Sequence, residues 1–199
     1  EEGRTPQEIF EEQLKKCGTD HFDFYLLHNL CEDSVPVFTD PKKGVIPYLL
    51  EQKKNGRIRH FGLSSHAKPE TLKSFLDQYD FFEFVQLQLN YLDWEMQDAK
   101  QQYEIVTNYG VPVWVMEPCR GGRLASLTPE ADKLLTDCDP GRSVASWAFR
   151  YVMSLPNVGV ILSGMTQMDQ AENNVETFSE GKYLTGQEQK VLNQALEQF

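Results

Sequence analysis

Five apolar runs in this chain end in residues able to do chemistry. The ends are His28-Asn29, Ser64-Ser65-His66, Gln86 with Gln88 and Asn90, Glu117, and Ser163-Gly164. A histidine can donate a hydrogen bond to a carbonyl oxygen or move a proton near neutral pH. Ser64, Ser65 and Gln86 are neutral hydrogen-bonding groups, which suit a carboxamide or an uncharged ligand better than a metal. Gly121-Gly122 would let backbone amides come close to a phosphate. Asn173-Asn174 lies in a helical stretch after the last run. Each of these has a plain structural alternative: a capped loop, a tight turn, a solvated helix face. His21 and His60 have no such placement and read as structural. His28, His66 and Glu117 could also be metal ligands of a barrel hydrolase. Against that reading, no His-x-His pair ends the first run.

The elements that would position these residues alternate in type. Thr5-Pro6-Gln7-Glu8 is a helix start, with a capping threonine, a proline at the first turn and a glutamate to close the box. Gly18 ends that helix. Strands are predicted at 22–28, 58–66, 84–90, 111–117 and 158–164. Helices are predicted at 45–54, 69–78, 95–109, 143–154 and 168–177, and from Gly186 to the end behind the box Thr185-x-x-Glu188. Strands alternating with helices imply parallel βαβ units. Nearly continuous apolar strands imply a sheet covered on both faces. No glycine-rich dinucleotide fingerprint follows the first strand, which counts against a Rossmann domain. A (β/α)₈ TIM-barrel type fits better, here as an incomplete barrel of about five parallel strands with outer helices. The whole of 1–199 is then one α/β barrel domain, and its chemistry belongs at the C-terminal strand ends.

Composition bounds the partners. The net charge is −11, from 19 Lys and Arg against 30 Asp and Glu. That acidity argues against nucleic acid and anionic membranes, both of which need a basic footprint. Hydrophobic residues at 40% are too many for a disordered segment. No apolar run reaches the roughly 18–20 residues of a membrane helix. Cys17, Cys31, Cys119 and Cys138 form no Cys-x-x-Cys pair, so reduced cytoplasmic thiols are expected. The chain opens on Glu1 without a signal-peptide pattern, and reads as a processed start or a piece of something longer.

Several strings carry a resemblance: QLKKCGTDHFDFYLLH, KNGRIRHFGLSSH, FVQLQLNYLDW, EPCRGGRLA, and the stretch 158–174. In order and spacing they resemble the aldo-keto reductase family, and more narrowly a bacterial branch that often carries a C-terminal ferredoxin-like iron–sulfur tail. The resemblance covers nearly the whole chain. It implies a barrel that binds NADP or NAD and reduces a small-molecule aldehyde or ketone by hydride transfer. An iron–sulfur cluster is implied only for a tail absent from this chain. Of the family's catalytic Asp, Tyr, Lys and His, only the His has a counterpart, His28. The other three belong to the first three βα units, so this chain alone is expected to be inactive.

The resemblance also assigns cofactor residues. Ser64 and Ser65 correspond to a Ser-Asn pair that holds the nicotinamide carboxamide, and Gln86 to a Gln that shares the task. Met116 stands where many members stack an aromatic ring on the nicotinamide, and Glu117 where a Ser is usual. Gly121 and Gly122 fall in the pyrophosphate loop. Ser163, Gly164, Met165 and Thr166 fall in the stretch that meets the adenosine ribose and its 2′-phosphate. Gln170 aligns with an arginine that grips the 2′-phosphate, and Asn173-Asn174 with a Glu-Asn pair near the adenine. No metal is implied. The alternative reading is a non-catalytic nucleotide-binding module; a metal-dependent hydrolase ranks behind it. Open sheet edges would invite self-association.

Overall fold

The computed structural model describes residues 3–198. Fifteen helices and strands follow one another as α1 (Pro6–Cys17), β1 (Phe22–Leu30), α2 (Val35–Thr39), α3 (Val45–Lys54), β2 (Ile58–Ser65), α4 (Pro69–Gln78), β3 (Val85–Gln88), α5 (Asp93–Met96), α6 (Ala99–Asn108), β4 (Val113–Met116), α7 (Pro129–Cys138), α8 (Val144–Met153), β5 (Val158–Ile161), α9 (Met168–Glu180) and α10 (Gly186–Leu196). The strands form one five-stranded sheet in the order β1-β2-β3-β4-β5. β1 pairs with β2 in parallel, and β4 with β5 likewise. Sequential parallel order with a helix after each strand is the expected α/β arrangement.

Local chemistry explains the boundaries. Thr5 Oγ1 accepts from Glu8 N–H, and Glu8 Oε2 accepts from Thr5 N–H at 2.8 Å, so the first capping box closes. Gly18 ends α1 in the left-handed conformation (φ 65°). The box at Thr185 and Glu188 opens α10 in the same way. The single helix expected over 95–109 is two helices, α5 and α6. They are separated at Asp98, whose φ is +52°. α2 and α7 were not foreseen. Yet Thr128 caps α7 by accepting from Ala131 N–H, with Pro129 at the first turn, a repeat of the α1 signal. The last three strands are shorter than expected: residues 84, 89–90, 111–112, 117 and 162–164 lie outside them.

The chain divides into two compact units. The first runs up to Gln86 and includes Ile105–Pro112; the second is Leu87–Glu104 with the chain from Val113 onward. In the first unit, Phe10 is fully buried and packs edge-on against Phe22, Tyr25 and Tyr48. Ile58, Phe61 and Leu63 of β2 are buried. Gly62 is required there: a Cβ on it would lie 2.3 Å from Phe84 Cζ, and the Phe84 ring is itself buried. In the second unit, Val113, Val115, Trp147, Phe149, Leu135 and Leu192 are buried together.

Candidate functional site

His28, Asn29 and Ser64 stand at a break in the β1–β2 register. The pairing shifts between Leu27 and Leu30, a bulge that contains His28 and Asn29. Asn29 takes φ 65°, a left-handed conformation that asparagine tolerates better than most residues. Its N–H donates to Ser64 Oγ at 2.8 Å. A bulge next to a site re-aims a side chain, and here it leaves the His28 imidazole exposed. That ring lines a mainly apolar cavity of about 960 Å³ with Phe22, Phe24, Leu26 and Val37. Ser64 and Ser65 are each 1% exposed. Ser64 fastens the bulge, and Ser65 Oγ accepts from Ala67 N–H at 3.2 Å. Both hydroxyls keep a proton to donate. Gln86 is half-buried on β3, between the buried Val85 and Leu87. His66 donates its backbone N–H to Leu30 O at 2.8 Å, while its side chain is exposed.

In the second unit the sequence-predicted residues converge. A cavity of about 750 Å³ is lined by Met116, Glu117, Gly121, Gly122, Ser163, Gly164, Met165, Gln170, Asn173 and Asn174. Pro118, Cys119 and Asp169 are among the residues that complete the wall. The asparagines and the glutamine are tied in place. Asn174 Nδ2 donates to Ser163 Oγ at 3.0 Å, and Ser143 Oγ donates to Asn173 Oδ1 at 2.7 Å. Gln170 Oε1 accepts from Thr166 N–H at 2.9 Å and from Gln167 N–H at 3.3 Å. The segment after β5 is thereby stitched to the start of α9.

The loop after β4 has an unusual backbone. Glu117 (φ 56°), Arg120 (φ 48°), Gly121 (φ 62°) and Gly122 (φ 90°) are all left-handed. For a side chain other than glycine this costs about 1–2 kcal/mol per residue, so the surroundings must hold it. The holder is a polar cluster that sequence reading did not assign. Asn90 is fully buried, and its Nδ2 donates to Glu117 O at 3.0 Å and to Asp93 Oδ2 at 2.7 Å. Asn90 Oδ1 accepts from the N–H groups of Leu92 and Asp93. Gln88 Nε2 donates to Asp93 Oδ2 at 2.9 Å. Arg120 Nε lies 3.1 Å from Asp93 Oδ1, an ion pair. Asp93 Oδ1 makes no hydrogen bond among the described residues. A carboxylate with no exposed surface is tolerable only with such partners. The spacing Asn90-x-x-Asp93 is a turn signal visible in the sequence. The reach from Asp93 to Arg120 is not.

Acidity limits the roles of other groups. Burial, helped by the Glu117 charge, pushes the Cys119 thiol up to about 11, so it is no nucleophile at neutral pH. Every tyrosine with a shifted acidity is made weaker as an acid. Burial does this first for Tyr25, Tyr48, Tyr91 and Tyr151, and the hydrogen bond to Asp77 does it for Tyr109. Among the described residues, no group of three or more His, Cys, Asp and Glu is placed to hold a metal ion. None of the described helices is long and apolar enough to cross a membrane.

The profile of the aldo/keto reductase family matches residues 4–196. The chain belongs to the aldo/keto reductase family. Its type is thus that of an oxidoreductase. Solved structures agree in fold. An aldo-keto reductase from Bacillus halodurans, in its holo form, is 24% identical with a TM-score of 0.75; the match covers 98% of this chain and 69% of that one. The glycerol dehydrogenase of Gluconobacter oxydans is 20% identical with a TM-score of 0.73, over 98% of this chain and 65% of that one. An aldo/keto reductase from Brucella melitensis is 16% identical with a TM-score of 0.70, over 96% of this chain and 67% of that one. The chain therefore spans about two-thirds of these structures. No curated protein matches it.

Proposed function

We propose that this aldo/keto reductase chain serves a cytoplasmic, NAD(P)H-dependent reduction of a small aldehyde or ketone. The observation that carries the reading is the convergence of ten separately predicted residues on one cavity after β4 and β5. The donor set there fits a dinucleotide. It offers neutral amides and hydroxyls, and a Gly121 N–H with no partner among the described residues, in a left-handed turn where a phosphate oxygen can approach. In this reading the cavity holds the pyrophosphate and adenosine, and Ser64, Ser65 and Gln86 hold the nicotinamide carboxamide. The reduced nicotinamide, when bound, supplies the hydride. His28 donates a hydrogen bond to the substrate carbonyl oxygen and so orients it. The proton for that oxygen is assigned to none of the described tyrosines. Four free cysteines fit a reducing compartment.

Gln86 gives a direct test. One hydrogen bond to the carboxamide is worth roughly 0.5–1.5 kcal/mol. Gln86→Ala is therefore expected to weaken cofactor binding about 2- to 12-fold in a fluorescence titration of the full-length protein. An unchanged Kd would remove Gln86 from the cofactor site. Turnover is read from nicotinamide absorbance with a panel of aldehydes and ketones, and no consumption with any carbonyl would count against reduction as the activity.

A further inference from the structure

The charges on the cavity wall divide the two nicotinamide cofactors. Among the described residues, its charged lining residues are Glu117 and Asp169, and no Lys, Arg or His lines it. Of the arginines near in sequence, Arg120 is paired with the buried Asp93. Arg123 is exposed and lies outside the lining. From these facts we infer that the cavity selects a dinucleotide with a free adenosine ribose, NADH, and rejects the 2′-phosphorylated NADPH. The inference rests on the cofactor reading above.

A phosphomonoester carries about −1.5 to −2 charge at neutral pH. It needs a cation, or a helix start left free to meet it. The start of α9 would supply a partial positive charge, roughly half an elementary charge, to any anion near it. Asp169 already stands in that first turn and takes up the attraction. Asp169 Oδ1 accepts from Gln170 N–H at 2.9 Å, which fixes the carboxylate in place. Gln170 cannot substitute for a cation, and its oxygen is spent on two backbone N–H groups. A carboxylate is acceptor-only. It rewards the hydroxyls of a ribose and repels a phosphate dianion. Glu117 lies on another stretch of the same wall, so neither way round does a 2′-phosphate find a counter-charge. The pyrophosphate differs, because each of its phosphates carries one charge and can be met by backbone N–H groups such as that of Gly121.

The test measures Kd for NADH and for NADPH by fluorescence with the full-length protein at low and at high salt. NADH is expected to bind roughly tenfold tighter or more, and salt is expected to narrow the gap by screening the repulsion. Asp169→Asn and Glu117→Gln should each tighten NADPH several-fold relative to NADH. Both side chains are exposed, so neither change threatens the fold. Equal affinities, or tighter NADPH, would overturn the selectivity while leaving the cofactor reading intact. Binding of neither nucleotide would overturn both.

Discussion

His28→Ala in the full-length protein is expected to lower kcat/KM about a hundred- to a thousand-fold, with Kd for the cofactor close to that of the parent. The magnitude is the roughly 2.7–4 kcal/mol lost when one donor to a developing oxyanion is removed. The separation of effects follows from placement. His28 sits in the bulge of β1, while the residues assigned to the carboxamide stand on β2 and β3. The His28 ring is exposed and makes no hydrogen bond among the described residues, so its loss should barely change folding stability. Steady-state kinetics and a cofactor titration on the same preparation decide the matter. Near-normal kcat/KM would refute the assignment. A loss of cofactor affinity instead would move His28 to the cofactor side.

Glu188→Ala is expected to cost about 3–5 kcal/mol of stability, the usual penalty for stranding one charge of a buried pair. Arg150 is 3% exposed. Its guanidinium donates to Glu188, to Lys182 O at 3.3 Å and to Tyr183 O at 3.2 Å, and it lies over the buried Trp147 ring. Glu188 also closes the cap of α10, accepting from Thr185 N–H at 2.7 Å. The substitution therefore removes a cap as well as a counter-charge. Folded domains are stable by only about 5–15 kcal/mol, so urea unfolding should show the change plainly. Glu188→Gln, which keeps the shape, should cost less. A Glu188→Ala protein within about 1 kcal/mol of the parent would show that the pair is replaceable.

The same carboxyl sets a pH dependence. Burial pushes it upward, but the hydrogen bonds from Thr185 and the Arg150 charge outweigh that and hold it below its usual value. Its contribution is complete above the unfolded value of about 4.3 and fades as pH falls through the lower folded value. Glu188→Ala and the parent should therefore differ most near neutrality and converge in acid, as read from melting temperatures. A gap that persists to pH 2 would assign the stabilisation to packing instead.

Much of this architecture is legible because its signals are local. The box at Thr5 and Glu8, the Gly18 stop and the apolar strand runs each depend on neighbours within a few residues. α7 carried the same kind of signal in Thr128-Pro129 and could have been found. The break between α5 and α6 could not, because nothing in the composition of Gln97-Asp98 forces a left-handed residue. At the candidate site, Glu117, Ser163 and Gly164 were readable as residue types at strand ends, and they meet at one cavity with residues assigned from the loop after β4 and from α9. The cluster of Asn90, Asp93 and Arg120 was hidden for a physical reason. Its ion pair spans 27 positions, and only the folded loop after β4 brings the partners together. Ser64 was read as a ligand group; its oxygen is also the fastening of the β1 bulge, a task that spacing along the chain cannot reveal.

That bulge has a consequence for how the chain can change over time. Leu27 and Leu30 are both buried, though three positions apart. In an unbroken strand, residues three apart face opposite sides. The extra residue thus works like a frame shift: before it one parity of residue numbers points inward, after it the other. Removing His28 or Asn29 would not shorten a loop; it would turn one buried leucine onto the opposite face of the sheet. Length changes here are therefore nearly closed to evolution. Lineages descended from this sequence should therefore hold the number of residues between Leu27 and Leu30 at two.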